Sequence, residues 1–286
     1  MENSSISQRL TSRFVAGRTL VEGIAVLQNL NRQRILGSLD FLGENVRSLQ
    51  EASQSRDSYI AAQCAIERAG LPATVSIKLT QFGLDFSQDA CVDNVIELVE
   101  RARKMNSRVE IDMESSDYTD RTLEIVAGLQ NRFPGCIRAV IQAYLYRSEA
   151  DIRMLSDQRI PVRLCKGAYR EPATVAFPHK QDVDANYIKL MLLLLDEGTY
   201  PAIASHDESI INTALQHIKE QNIAPDRFEF QMLYGIRRDL QRKLISQGYR
   251  LRLYVPYGDA WYPYFMRRLA ERPANVLFLA RNLLRN

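Results

Sequence analysis

Long apolar runs are missing from this 286-residue chain. The longest, Leu190–Leu195, falls far short of the ~20 residues that a membrane-spanning helix needs. Cysteine is scarce. The four present, Cys64, Cys91, Cys136 and Cys165, form no C-x-x-C pair, which argues against structural zinc and suits a reducing compartment. Neither sign of charge is in excess. Thirty-seven basic and 34 acidic residues leave +3, too even a balance to point to nucleic acid. The single basic cluster, Arg237-Arg238 to Arg242-Lys243, has helical spacing and reads as a solvated helix face. Met1-Glu2-Asn3-Ser4-Ser5 is polar, with no short apolar segment behind it, so no secretory leader is expected. The expected location is cytoplasmic, or peripheral at the inner face of the membrane. Two signatures are also absent. No G-x-G-x-x-G follows a strand, which argues against a dinucleotide-binding open sheet. No G-x-S-x-G elbow marks a serine hydrolase.

What is present is an alternation of short β-rich runs with amphipathic stretches. At 46% hydrophobic and 25% charged residues, the composition excludes disorder and a bare coiled coil. Strands are predicted at Ser38–Leu42, Thr74–Leu79, Arg108–Met113, Ile137–Gln142, Ile160–Cys165, Pro201–Ser205, Phe228–Met232 and Leu251–Val255. Helices are predicted at Val46–Ala69, Asp89–Lys104, Asp120–Asn131, Glu149–Ser156, Asp184–Asp196, Asp207–Glu220, Ile236–Gln247 and Ala260–Arg272. Asp120, Asp184 and Asp207 are cap candidates. Eight such units predict an α/β fold, a parallel (βα)8 barrel of TIM type, with a doubly wound open sheet as its competitor. Val276–Ala280 is a ninth strand-like run that could replace the first. Ahead of the barrel, Thr11–Ile35 has helical spacing, with Leu20, Ile24, Leu27 and Leu30 as its stripe. It would either close the barrel floor or form an arm. The expected division is a helical arm over 1–37 and a catalytic barrel over 38–286.

A barrel demands that active residues sit at or just beyond the C-terminal ends of its strands. Those ends carry Glu44, Lys78, Asp112 with Glu114, Gln142, Arg163 with Lys166, His206 with Asp207, Gln231 and Tyr254. Lys78 and Asp112 end neighbouring strands and are expected to pair. Lys78 could serve as a Schiff-base lysine, but an adjacent carboxylate would keep it charged. In Arg163-Leu164-Cys165-Lys166-Gly167-Ala168-Tyr169 two cations precede a glycine, a pattern that favours an anionic ligand such as a phosphate. Ser205-His206-Asp207 opens a helix. It suits a phosphate or ribityl contact or a helix cap, and adjacent residues make a poor catalytic triad. Arg267 and Arg268 follow an aromatic run from Trp261. Two guanidiniums over a pocket would match a carboxylate, although a surface pair with Arg267 bonded to Glu271 is the plainer reading. Tyr254 would wall the pocket beside them.

The chain resembles the monofunctional bacterial proline dehydrogenases, which are FAD-dependent barrel enzymes. The resemblance runs from about Leu39 to Arg281. Its segments are Phe41-Leu42-Gly43-Glu44, Ile77-Lys78-Leu79-Thr80, Ile111-Asp112-Met113-Glu114, Ile141-Gln142-Ala143-Tyr144, Arg163 to Tyr169, Ser205-His206-Asp207, Phe228 to Gly235 and Tyr264 to Glu271. Their order and separations carry it. The resemblance implies a distorted barrel with additional N-terminal helices and the last helix lying over the barrel mouth. It sets Arg267, Arg268 and Lys78 on the proline carboxylate, with Asp112 beside the lysine and Tyr254 against the proline ring. Arg163 would bond the flavin N5 edge. Met113, Gln142, Lys166, Gly167, Ala168, Ser205 and His206 fall at flavin-binding positions, and Glu44 would pair with Arg267 as a gate. Two positions depart from the pattern: Ala204-Ser205 stands for Ala-Thr, and Cys165 for Val.

The activity so implied is oxidation of L-proline to Δ1-pyrroline-5-carboxylate, the first step of proline catabolism. Hydride would pass from C5 to flavin N5, and electrons onward to a membrane quinone. With the chain ending at Asn286, a separate pyrroline-5-carboxylate dehydrogenase is expected downstream. No metal is called for. Three rivals are a Schiff-base lyase acting through Lys78, a non-catalytic binding barrel, and a hydroxyproline dehydrogenase, which Tyr254 would disfavour by crowding a ring hydroxyl.

Overall fold

A computed structural model describes residues 14–43 and 46–261. Eight parallel strands close into a barrel in sequence order. They are β1 (Leu36–Phe41), β2 (Ala73–Ile77), β3 (Val109–Ile111), β4 (Ile137–Gln142), β5 (Val162–Cys165), β6 (Ala202–Ala204), β7 (Glu229–Leu233) and β8 (Leu251–Tyr257). Closure is made by β1, which pairs with β2 through Gly37–Ala73 and with β8 from Leu36–Arg252 to Phe41–Tyr257. The open-sheet competitor is thereby excluded. The run Val276–Ala280 and the helix expected at Ala260–Arg272 lie outside the described residues, apart from Ala260 and Trp261.

Helices alternate with the strands: α1 (Leu20–Arg32), α2 (Leu49–Arg68), α3 (Gln88–Lys104), α4 (Thr119–Arg132), α5 (Ser148–Asp157), α6 (Lys180–Glu197), α7 (Glu208–Glu220) and α8 (Arg238–Ser246). Side-chain oxygens start several of them by accepting otherwise orphaned backbone N–H groups. Ser48 caps α2, Ser87 caps α3, and Thr19 forms a reciprocal box with Glu22 at α1. Of the three predicted caps, Asp207 caps α7 by accepting from the Ser209 N–H at 3.1 Å. The other two are corrected. Asp120 lies inside the first turn of α4, and Asp184 lies a turn inside α6, whose cap position is His179. Asp184 is drawn instead to two ammonium groups, Lys166 and Lys180.

The outward faces of the strands present Leu39, Ile77, Ile111, Ile141, Leu164 and Phe230 to the helices, in one continuous apolar core. Helix α1 joins this core on the barrel's side wall rather than beneath its floor. Its Gly23 lies against Leu39 of β1 and Tyr257 of β8. Its Leu27 side chain fills the space where a Cβ on Gly37 would sit, 2.1 Å away. A helix thus covers the β8–β1 seam, and glycine at both contacts allows the close approach.

The inward faces are unlike the branched apolar layers usual in such barrels. Four cations, Lys78, Arg138, Arg163 and Arg252, are ion-paired with four carboxylates, Asp40, Glu110, Asp112 and Glu229. Arg138, Glu110 and Glu229 are wholly buried. Arg138 reaches Glu229 at 2.6 Å and Glu110 at 3.2 Å, and Arg252 reaches Glu229 at 2.8 Å. Burial alone would push both glutamates up, but the guanidiniums outweigh it and hold their carboxyls below the ordinary range.

Candidate active site

At the C-terminal ends of the strands the barrel opens into a cavity of about 470 Å³. Lys78, Asp112, Met113, Gln142, Arg163, Lys166, Gly167, Ala168, Ser205, His206 and Tyr254, drawn from six strand ends and the loops behind them, all line it. So does Gln231. Glu114 does not. It is turned away to accept from Thr80, at 2.6 Å from the hydroxyl and 3.1 Å from the backbone N–H. Glu44, Arg267 and Arg268 lie outside the described residues.

The cavity floor is a charged cluster. Lys78 directs Nζ to Asp40, Asp112 and the Tyr254 hydroxyl, each at 3.4 Å. The expected Lys78–Asp112 pair is therefore present, with a second carboxylate opposite. Tyr254 donates to Asp112 at 2.9 Å and Ser76 donates to it at 2.8 Å. Arg163 holds the other side of Asp112 and bonds Glu110 at 3.1 Å. Its guanidinium lies 5.3 Å from the centre of the Tyr254 ring, within cation–π range. Burial would raise the Asp112 carboxyl, but Arg163 and Lys78 outweigh it and the group is held low. Asp40 goes the other way. Its desolvation exceeds the help from Lys78, the Asp112 charge adds to the penalty, and its carboxyl is raised.

The side wall is organised by β4 to β7. Gln142 donates to the Glu114 carbonyl at 2.8 Å and accepts from the Ala168 N–H at 3.2 Å. This pins the turn after β5. Gly167 there has φ +126°, and a Cβ on it would stand 2.4 Å from the Tyr144 ring, so the turn requires glycine. Lys166 is held at the wall by Asp184 and Asp207. His206 accepts the Leu233 N–H at Nε2, 2.8 Å away, which places the proton of the neutral ring on Nδ1. Ser205 accepts from the Asp207 N–H at 3.1 Å.

Asp40 and the Ser76–Glu110 layer beneath Asp112 escaped the sequence reading. Their signal was parity. Asp40 shares its strand face with Ser38, and Glu110 shares one with Asp112, so a charge two residues before a cavity residue also points inward.

Comparison with known proteins agrees with this geometry. Residues 24–281 match the family described as Proline dehydrogenase. The chain is 42% identical over 273 residues to proline dehydrogenase 1 of Bacillus subtilis strain 168, covering 96% of this chain and 90% of that one. It is also 42% identical over 280 residues to the proline dehydrogenase of Deinococcus radiodurans, with the same coverage. Among solved structures it resembles proline utilization A of Bdellovibrio bacteriovorus inactivated by N-propargylglycine, with TM-score 0.86 and 26% identity. That match covers 92% of this chain, which spans about a third of the longer protein, 32%. A family match along nearly the whole barrel, joined to 42% identity, settles the membership: this chain belongs to the proline dehydrogenase family.

Proposed function

We propose that this protein is a flavin-dependent proline dehydrogenase, which oxidises L-proline to Δ1-pyrroline-5-carboxylate in the first step of proline catabolism. The observation that carries the reading is the cavity floor. There an ammonium, Lys78, lies between two carboxylates and a phenol at the mouth of a closed barrel. Carboxylates on both sides stabilise the charged amine, which suits an anion receptor and opposes the Schiff-base lyase.

Proline dehydrogenases are flavoenzymes in general, and the cavity wall fits such a group. Arg163 and Lys166 supply positive charge, His206 and Gln142 supply polar contacts, and Met113, Val140 and Leu233 supply apolar surface. With Gly167, Ala168 and Ser205 these residues would hold FAD. Bound there, FAD would supply the two-electron acceptor for hydride at N5.

The chain's own part is binding and aim. Lys78, with Arg267 and Arg268 carried over from the family pattern, would hold the proline carboxylate by charge-assisted bonds. Fixing the carboxylate orients the ring and turns C5–H toward the wall that carries Arg163, an effect of position rather than of added chemistry. Asp112 pairs with both Lys78 and Arg163 and accepts the hydrogen bond of the Tyr254 hydroxyl, so the tyrosine ring would stand as the pocket's side. Glu44 would close the pocket by pairing with Arg267. Oxidation takes a hydride from C5 and a proton from the ring nitrogen, which leaves the C5=N bond of the product. Activity therefore rises with pH as the amine loses its proton. Electrons would pass on to a membrane quinone, and a separate dehydrogenase would consume the product. No helix among the described residues is long and apolar enough to cross a membrane, so contact with the quinone pool would be peripheral.

The test is Arg268→Ala. It raises KM for L-proline at least about tenfold, the scale of one lost charged contact, with flavin content unchanged. An unchanged KM contradicts the carboxylate clamp.

A further inference from the structure

Among the described residues, four cations and four carboxylates cancel inside the barrel, and one of the eight differs from the rest. Glu110, Glu229 and Asp112 are each bonded to an arginine. Asp40 is not. It is 1% exposed, and its Oδ1 meets Lys78 at 3.4 Å and the Tyr59 hydroxyl at 3.3 Å. Among the described residues its Oδ2 is buried without a hydrogen-bond partner. A carboxylate oxygen left bare in the interior is costly.

We propose that Asp40 is the positioning residue that fits Lys78 to an anionic substrate, taking up a proton as a carboxylate binds and releasing it as the carboxylate leaves. This rests on the reading that Lys78 receives the substrate carboxylate. Among the described residues, Lys78 shares its charge between Asp40 and Asp112. A third carboxylate at the same ammonium would draw that charge away from Asp40 and Asp112, in a medium where the resulting repulsion is weakly screened. Asp40 is then the anion with the least counter-charge, since Asp112 keeps Arg163 and the proposed function sets Arg267 and Arg268 on the substrate. The substrate carboxylate is an acid of ordinary strength in water. Asp112 is bonded by Arg163, Ser76 and Tyr254 and held low. Asp40 is already raised by burial and by Asp112.

Among the described residues, the groups facing Asp40 leave no other carrier. Lys78 approaches from the end of β2, Asp112 from β3 and Tyr254 from β8. The phenols of Tyr59 on α2 and Tyr257 at the end of β8 both feel the Asp40 charge and are pushed upward by burial, so they stay neutral. Gln81, which bonds the Tyr59 hydroxyl, does not titrate. Arg267 and Arg268, which the proposed function also sets on the carboxylate, are guanidiniums and carry no proton across this range.

The sign follows. Below the Asp40 titration the site is ready for an anion. Above it, each pH unit weakens carboxylate binding by at most about tenfold. The Asn side chain is permanently neutral, so Asp40→Asn binds the carboxylate without that loss.

The probe is cyclopentanecarboxylate, which keeps the ring and the anion and has no amine to titrate. Its binding to the flavin-loaded enzyme is followed by calorimetry between about pH 5.5 and 8.5, where the free acid is ionised. Buffers of different ionisation enthalpy count the protons exchanged. The wild type takes up a fraction of a proton that rises toward about one with pH, and its affinity falls along the same curve. Asp40→Asn shows no uptake and a flat affinity. Wild-type binding with no proton uptake overturns the proposal, even if the variant does not fold. Equal uptake in Asp40→Asn overturns it as well. No binding of the carboxylate to the wild type overturns the substrate reading beneath it.

Discussion

The lower and upper halves of the barrel interior are built from the same residue types and differ in how they are paired. Below, Arg138, Arg252, Glu110 and Glu229 are locked at 2.6–3.2 Å in their shortest pairs and sealed from solvent. Above, among the described residues, Lys78 faces Asp40, Asp112 and Tyr254, each at 3.4 Å, and one oxygen of Asp40 has no hydrogen bond. Closed pairing makes the lower charges structural. Loose pairing beneath a cavity leaves the upper ones able to answer an incoming charge. Buried charge therefore marks neither stability nor function by itself; saturation of the carboxylate oxygens separates the two, since below only a guanidinium nitrogen, Arg138 Nε, lacks a partner among the charged groups of that layer.

The largest effect that sharpens this contrast is Arg138→Met. It strands Glu110 and Glu229 with less counter-charge in a sealed interior, and costs about 3–5 kcal/mol of stability. Thermal or denaturant unfolding measures it, and a loss below about 1 kcal/mol would break the contrast. Next comes Lys78→Met. Removing the proposed anion receptor lowers kcat/KM for L-proline at least about 100-fold, roughly 2.7 kcal/mol. Its melting temperature falls less than that of Arg138→Met, because Asp40 can take a proton where Glu229 cannot.

The smallest effect is on pH dependence, and its sign differs between the halves. Glu229 is held low when folded, so its stabilisation is complete above its unfolded value and lost as pH falls toward the folded one. Asp40 is raised when folded, so its contribution is complete below its unfolded value and lost as pH rises through the folded one. At pH 8, Glu229→Gln therefore lowers the melting temperature, while Asp40→Asn leaves it unchanged or higher. Equal losses in both variants would erase the distinction.

The strands were readable because their outward faces are apolar at alternate positions, as Ile137, Ala139 and Ile141 are in β4, whichever way the barrel closes. Cavity residues were readable because a parallel barrel delivers strand ends to one rim. The charged interior was not, for two reasons. Its partners are far apart in sequence, with Arg138 and Glu229 separated by 91 residues. Local reading also treats a charge within a strand as a boundary rather than as an inward position. Asp40 was passed over for Glu44 on this account. Asp184 misled differently: an acidic residue near a helix start looks like a cap, and only the fold shows the lysines on either side of it.

The most direct test of the account is the visible spectrum of the purified protein before and after anaerobic addition of L-proline. The expected result is a yellow flavin spectrum that bleaches with L-proline and keeps its colour with cyclopentanecarboxylate, which has no ring nitrogen to complete the oxidation. A flavin that stays oxidised under L-proline, or a protein that remains inactive after FAD is added, would contradict it.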